Sequence, residues 1–249
     1  MEVKSNHPYD FNASIARIDE ILNSSTVYPD TNDIQKRKEL TYDNGYYLDC
    51  YALFVDIRDS SQLPRIHQKR VLAKLYRSYI SELTAIMQSY SNCREINIVG
   101  DCVNGVFSCS SKDDVMQPFQ AAYTINSIVR VINLKASKKN YSGLRIGIGI
   151  AKGKALMVQA GYKGSGLNDV IWMGDVVNYA CHLCAKANKD GNDTINISEE
   201  VYNDLEGFTG HEDVPYQNMF RLPWGKDYYT GSIIRVSMED WLNKNRGGM

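Results

Sequence analysis

Apolar positions change their spacing several times along the chain, and each change marks an element. From Tyr46 to Ile57 the run is almost continuously aromatic and aliphatic, the pattern of a mostly buried strand carrying Asp56 near its C-terminal end. Leu72, Leu75, Tyr79, Leu83 and Ile86 then recur at helical spacing, which predicts an amphipathic helix over about 62–90. Residues 93–109 divide into two short strands at Gly100-Asp101-Cys102, whose glycine and aspartate mark a turn and set Asp101 at a hairpin tip. A second helix is predicted from Val115 to about Ile132, with Ala122, Ile125, Val129 and Ile132 on one face and Pro118 in its first turns. Leu144–Ile150 and Ala155–Ala160 read as a further strand pair.

The order strand, helix, strand, strand, helix, strand is the ferredoxin-like βαββαβ arrangement of an α+β fold. Additional elements decorate it: a helix over Val176–Asn188, a strand at Thr194–Ile197, a helix from Ser198 and a closing strand near Ser232–Val236. Residues 1–45 are polar and broken by Pro8 and Pro29, with a short helical stretch around Ile15, Ile18, Ile21 and Leu22. They are expected to form an N-terminal extension to a domain at 46–237, followed by a tail at 238–249.

Composition narrows the function. The 249 residues are 43% hydrophobic and 23% charged, enough for one sizeable core but hardly for two domains. Twenty-eight basic residues against 29 acidic ones leave a formal charge of -1, which removes the usual electrostatic case for binding nucleic acid. No signal-peptide pattern and no apolar run of membrane-spanning length is present, so a cytoplasmic location without a membrane partner is expected. Cysteines 50, 93, 102, 109, 181 and 184 mostly lie in apolar runs, unlike a disulfide framework. Cys181-His182-Leu183-Cys184 has zinc-like spacing, but no second pair at ligand spacing accompanies it.

In a ferredoxin-like sheet the first strand and the central hairpin are neighbours, so Asp56 and Asp101 can converge. Two carboxylates at adjacent strand ends can hold divalent cations for phosphoryl chemistry, or each can simply cap its own turn. The surrounding residues choose between these. Phe54-Val55-Asp56-Ile57-Arg58-Asp59-Ser60-Ser61 and Ile98-Val99-Gly100-Asp101 resemble the two metal-binding motifs of class III nucleotidyl cyclases. Gly174-Asp175-Val176-Val177-Asn178 resembles a third motif of that family, and Arg145-Ile146-Gly147-Ile148 the strand before it. The likeness covers roughly 46–237, and three motifs in order are far more specific than one.

The resemblance implies a head-to-tail homodimer in which each site takes its metal ligands from one subunit and its base-reading residues from the other. It assigns two divalent ions, Mn2+ or Mg2+, to Asp56, Asp101 and the Ile57 carbonyl, and the triphosphate to backbone amides around Arg58, Ser60 and Ser61. Asp59 departs from the family's glycine, and an acidic side chain beside phosphate is tolerable only if it points away. Asn178 matches the asparagine that positions the ribose. His182 replaces the arginine that stabilises transition-state charge, and an imidazole lacks that permanently charged two-pronged fork, so slow turnover or a substitute cation is expected. Lys226 lies near the place of the triphosphate-binding lysine, or is a solvated loop residue.

Asn97 and Ile171 occupy the two base-reading positions and match neither the adenine nor the guanine scheme. Ile171 offers the base no hydrogen bond and Asn97 offers both a donor and an acceptor, which suits a pyrimidine. Such departures resemble the pyrimidine cyclases of bacterial Pycsar antiphage systems. That likeness implies CTP, then UTP, as substrate and a separate effector that responds to the cyclic product. The competing readings are an adenylate or guanylate cyclase with an unusual base site, and a degenerate cyclase-homology module without activity. Trp172 is a candidate to stack on the base, and the glycines of 161–166 are expected to form a mobile loop beside the site.

Overall fold

A computed structural model describes residues 8–164 and 167–246. The elements in chain order are α1 (Phe11–Leu22), β1 (Asp30–Thr31), β2 (Gly45–Ile57), α2 (Leu63–Ile66), α3 (Lys69–Gln88), β3 (Cys93–Val99), β4 (Cys102–Ser108) and α4 (Met116–Ser137). They continue with β5 (Ile146–Tyr162), β6 (Leu167–Met173), α5 (Asp175–Lys186), β7 (Ile195–Ser198), α6 (Glu199–Asp204), β8 (Phe220–Arg221), β9 (Tyr228–Gly231) and α7 (Val236–Arg246). The sheet order is β3-β4-β2-β5-β7-β9-β8, with β1 added to β2 and β6 to β5. Strands β3, β4, β2 and β5 with helices α3 and α4 are the expected ferredoxin-like core.

Side-chain alternation along β2 divides the molecule. Tyr51, Leu53, Val55 and Ile57 point to one face, where Tyr79, Leu83 and Met87 of α3 and Phe119, Ala122, Ile125 and Val129 of α4 bury them. Leu48, Cys50 and Ala52 point to the other, where α5 supplies Val176, Ala180 and Leu183. Helix ends follow local chemistry: the Asp10 side chain accepts from the Ala13 amide, and Ser111 and Asp114 form a reciprocal cap in the turn leading into α4.

Four expectations are corrected. The strand pair 144–150 and 155–160 is one strand, β5, which runs antiparallel to β2 from Gly45↔Val158 to Ile57↔Ile146. Gly149 and Gly153, which break its apolar run, are there because α5 lies against it: a Cβ on Gly149 would stand 2.2 Å from the Ala180 carbonyl oxygen. The closing strand falls at Tyr228–Gly231, and Val236 instead opens α7, which returns Leu242 to the interior and pairs Glu239 with Arg130 of α4 at 2.5 Å. The first long helix is interrupted at His67-Gln68, where the backbone is extended between α2 and α3. Of the loop expected at 161–166, Gly161 and Tyr162 belong to β5, and Ser165 and Gly166 lie outside the described residues.

Candidate active site

Alternation along β2 turns Asp56 away from the face covered by α3 and α4, and Gly100, at φ +65, turns β3 into β4 so that Asp101 comes to its side. Burial, and then the like charge of Asp101, push the Asp56 carboxyl above the usual carboxylate range, against the opposing pull of Arg58 and Lys189. Asp101 Oδ2 is buried and has no hydrogen-bond partner among the described residues. Two carboxylates pressed together, one with an unsatisfied buried oxygen, form an acceptor-only donor set that fits a hard divalent cation. The Ile57 side chain is core, buried beside Val55.

Arg58 has a different place from one facing phosphate. Its amide donates to the Arg145 carbonyl at 2.7 Å, and its buried guanidinium donates to Asp56 Oδ2 at 2.8 Å and to the Ala185 carbonyl at 3.0 Å. Arg58 therefore locks the Asp56 carboxylate to the end of α5. Asp59 adopts the left-handed conformation at φ 57, which explains why glycine suits the position, and its carboxylate turns to Arg145 at 3.6 Å. Ser60 and Ser61 follow in a single helical turn, Ser60–Gln62.

Helix α5 holds Asn178 and His182 one turn apart, both exposed. Asn97 sits on β3 opposite Asn104, its Nδ2 donating to Asn104 Oδ1 at 3.4 Å. Ile171 sits on β6, 41% exposed and opposite Val158 of β5. That register puts Ile171 level with Gly45, at the far end of β2 from Asp56. Trp172 alternates to the other side of β6 and packs partly buried against the core under α5. Lys226, in the turn before β9, lines an open cavity of about 530 Å³ with Lys186, Arg221 and Trp224.

Several residues of the site were not legible from pattern. Tyr79 of α3 reads as part of a hydrophobic stripe and Tyr76 is not singled out, yet both feel the charges of Asp56 and Asp101. Burial chiefly raises their phenol pKa values, and the buried Tyr79 hydroxyl has no hydrogen-bond partner among the described residues. Lys189, in the turn after α5, is near enough to Asp56 to favour its ionised form. Its only sequence signal is a charge among polar turn residues.

The fold and this pair of carboxylates define a class of enzyme domain. The family model of the adenylate and guanylate cyclase catalytic domain matches residues 45–231, and the chain belongs to that family. Among curated relatives, a uridylate cyclase of Gulbenkiania mobilis is 38% identical over 98% of this chain and 100% of its own length. A uridylate cyclase of Treponema porcinum is 34% identical over 95% of this chain and 82% of its own. The fold is similar to the guanylyl cyclase Cya2 (TM-score 0.61, 15% identity, covering 77% of this chain and 95% of that one). It is also similar to the adenylyl cyclase CyaB from P. aeruginosa (TM-score 0.60, 20% identity, 75% and 94%).

Proposed function

We propose that this chain is a pyrimidine nucleotidyl cyclase that closes UTP to cyclic UMP and diphosphate, with CTP as the weaker substrate. The observation that carries the reading is the convergence of Asp56 and Asp101, with Asp101 Oδ2 buried and, among the described residues, unpartnered, in a chain with uridylate cyclase relatives over nearly its full length. The order of UTP and CTP follows those relatives and reverses the order drawn from the sequence. No helix among the described residues is long and apolar enough to cross a membrane.

In the reaction the ribose 3′ oxygen attacks the α-phosphorus, the bond from that phosphorus to diphosphate breaks, and the 3′ proton passes to solvent water. Asp56, Asp101 and the Ile57 carbonyl would hold two divalent cations, Mn2+ or Mg2+, which when bound would supply activation of the 3′ oxygen and neutralisation of the phosphates. Arg58 keeps the Asp56 carboxylate aimed, Ser60 and Ser61 present their turn to the triphosphate, and Asn178 orients the ribose. His182 and Lys226 meet negative charge, and Lys186 and Arg221 beside Lys226 favour the same role. Asn97 reads the pyrimidine edge while Ile171 covers its face.

The site is shared between two copies of the chain arranged head to tail. Asp56 and Ile171 stand at opposite ends of β2, and Asn178 and His182 face solvent. Exposed apolar residues, Ile98, Val99, Ile171 and Met173, mark both ends as surface for a second copy. The cyclic product serves as a signal to a separate effector in antiphage defence, as the resemblance to Pycsar cyclases implies.

The test is purified protein with Mn2+ and each of ATP, GTP, CTP and UTP, the products identified by mass spectrometry. Cyclic UMP as the main product supports the reading. Cyclic AMP or cyclic GMP as the main product overturns the base assignment, and silence with all four overturns catalysis.

A further inference from the structure

The matched catalytic domain begins at residue 45, yet the uridylate cyclase relatives align over nearly the whole chain, so they share the segment before it. Within that segment Arg37 reaches two strands that are not sheet neighbours. Its Nε donates to both oxygens of Glu95 on β3 at 3.1 Å, a terminal nitrogen also bonds Glu95, and the other donates to Asp169 on β6 at 2.7 Å. The Glu95 side chain is only 7% exposed, so it depends on this guanidinium to offset the cost of burying its charge. The exposed Arg37–Asp169 pair alone is worth little; the two-strand bridge is what the fork of an arginine adds.

The spacing gives the bridge a consequence. Glu95 is two residues before Asn97, and Asp169 two before Ile171, so on each strand the anchored carboxylate and the base-reading residue share a face. No ladder joins β3 to β6, since β3 pairs with β4 and β6 with β5. We propose that Arg37 is a positioning residue for base selectivity, fixing the separation of the strands that carry Asn97 and Ile171 at a width that suits a single pyrimidine ring. The inference rests on the base-site reading above.

The experiment is steady-state kinetics of Arg37→Met, Arg37→Lys, Asp169→Asn and Asn97→Ala with UTP, CTP, ATP and GTP, alongside thermal unfolding. Arg37→Met should raise KM for UTP on the order of tenfold with kcat within about threefold, and lower the pyrimidine-to-purine ratio by a similar factor. Arg37→Lys, a single point charge able to hold one carboxylate, should fall between the two. Asp169→Asn, a same-size change at a half-exposed side chain, should move selectivity the same way by less, and it decides the matter if Arg37→Met unfolds. Unchanged selectivity in Arg37→Met and Asp169→Asn, or an equal loss of kcat with every nucleotide, overturns the proposal. If Asn97→Ala changes the preference while the Arg37 and Asp169 variants do not, only the bridge fails. If Asn97→Ala leaves it unchanged, the base-site reading fails and the bridge with it.

Discussion

The two faces of the sheet are built on different terms. Against one, α3 and α4 bury a continuous cluster in which Tyr51, Tyr79, Phe107 and Phe119 are wholly enclosed. Against the other lies α5, close enough to require glycine at 149, and the rest of that face carries half-buried polar groups and exposed apolar ones. The first face holds the fold. The second keeps a carboxylate pair in a repulsive contact that packing on the first face sustains, and repulsive or unsatisfied groups of this kind mark functional sites.

Substitutions that act on one face and spare the other sharpen this contrast. Asp101→Asn should remove several kcal/mol of transition-state stabilisation, about a thousandfold in kcat, while thermal stability without metal stays level or rises. A large drop in melting temperature would mean that the aspartate is structural. Phe119→Ala, under the edges of Tyr123 and Tyr216, should cost about 3–5 kcal/mol in denaturant unfolding and leave kcat of the folded fraction nearly unchanged.

Gly149→Ala crosses the divide. The added methyl pushes α5 from β5, so about 1–3 kcal/mol of stability and most of the activity should go together, since Asn178 and His182 ride on that helix. His182→Arg should speed turnover a few-fold, on the order of 1 kcal/mol off the barrier, and a slower variant would remove His182 from the charge-stabilising role.

The smallest effect is one of pH. Because Asp56 titrates above its unfolded value, metal-free protein loses stability as pH rises from the ordinary aspartate range to the raised one. In Asp56→Asn that slope should be absent from melting temperatures measured in chelator, and parallel curves would refute the raised titration of Asp56 that burial and then Asp101 impose.

What the sequence made legible was local. Asp56 at the end of an apolar run and Asp101 after Gly100 are strand-end and turn chemistry, visible without partners. The unity of β5 was hidden because Gly149 and Gly153 look like breakers, when they answer to a helix that follows later in the chain. Strand β6 was missed because its half-buried, mixed residues show no clean alternation. Lys189, Tyr76 and the Arg37–Glu95 pair depend on approaches across the fold, which spacing does not encode.

The central claim is a cyclase site divided between two chains, and mixing tests it most directly. Asp101→Asn and Asn178→Ala chains, each nearly inactive alone because the account takes the metal ligands of a site from one chain and its Asn178 from the other, are unfolded and refolded together and then assayed with UTP and Mn2+. A head-to-tail dimer should recover about a quarter of wild-type activity, since statistical pairing makes half the dimers mixed and each of these keeps one intact site. A mixture as inactive as its components would contradict the account.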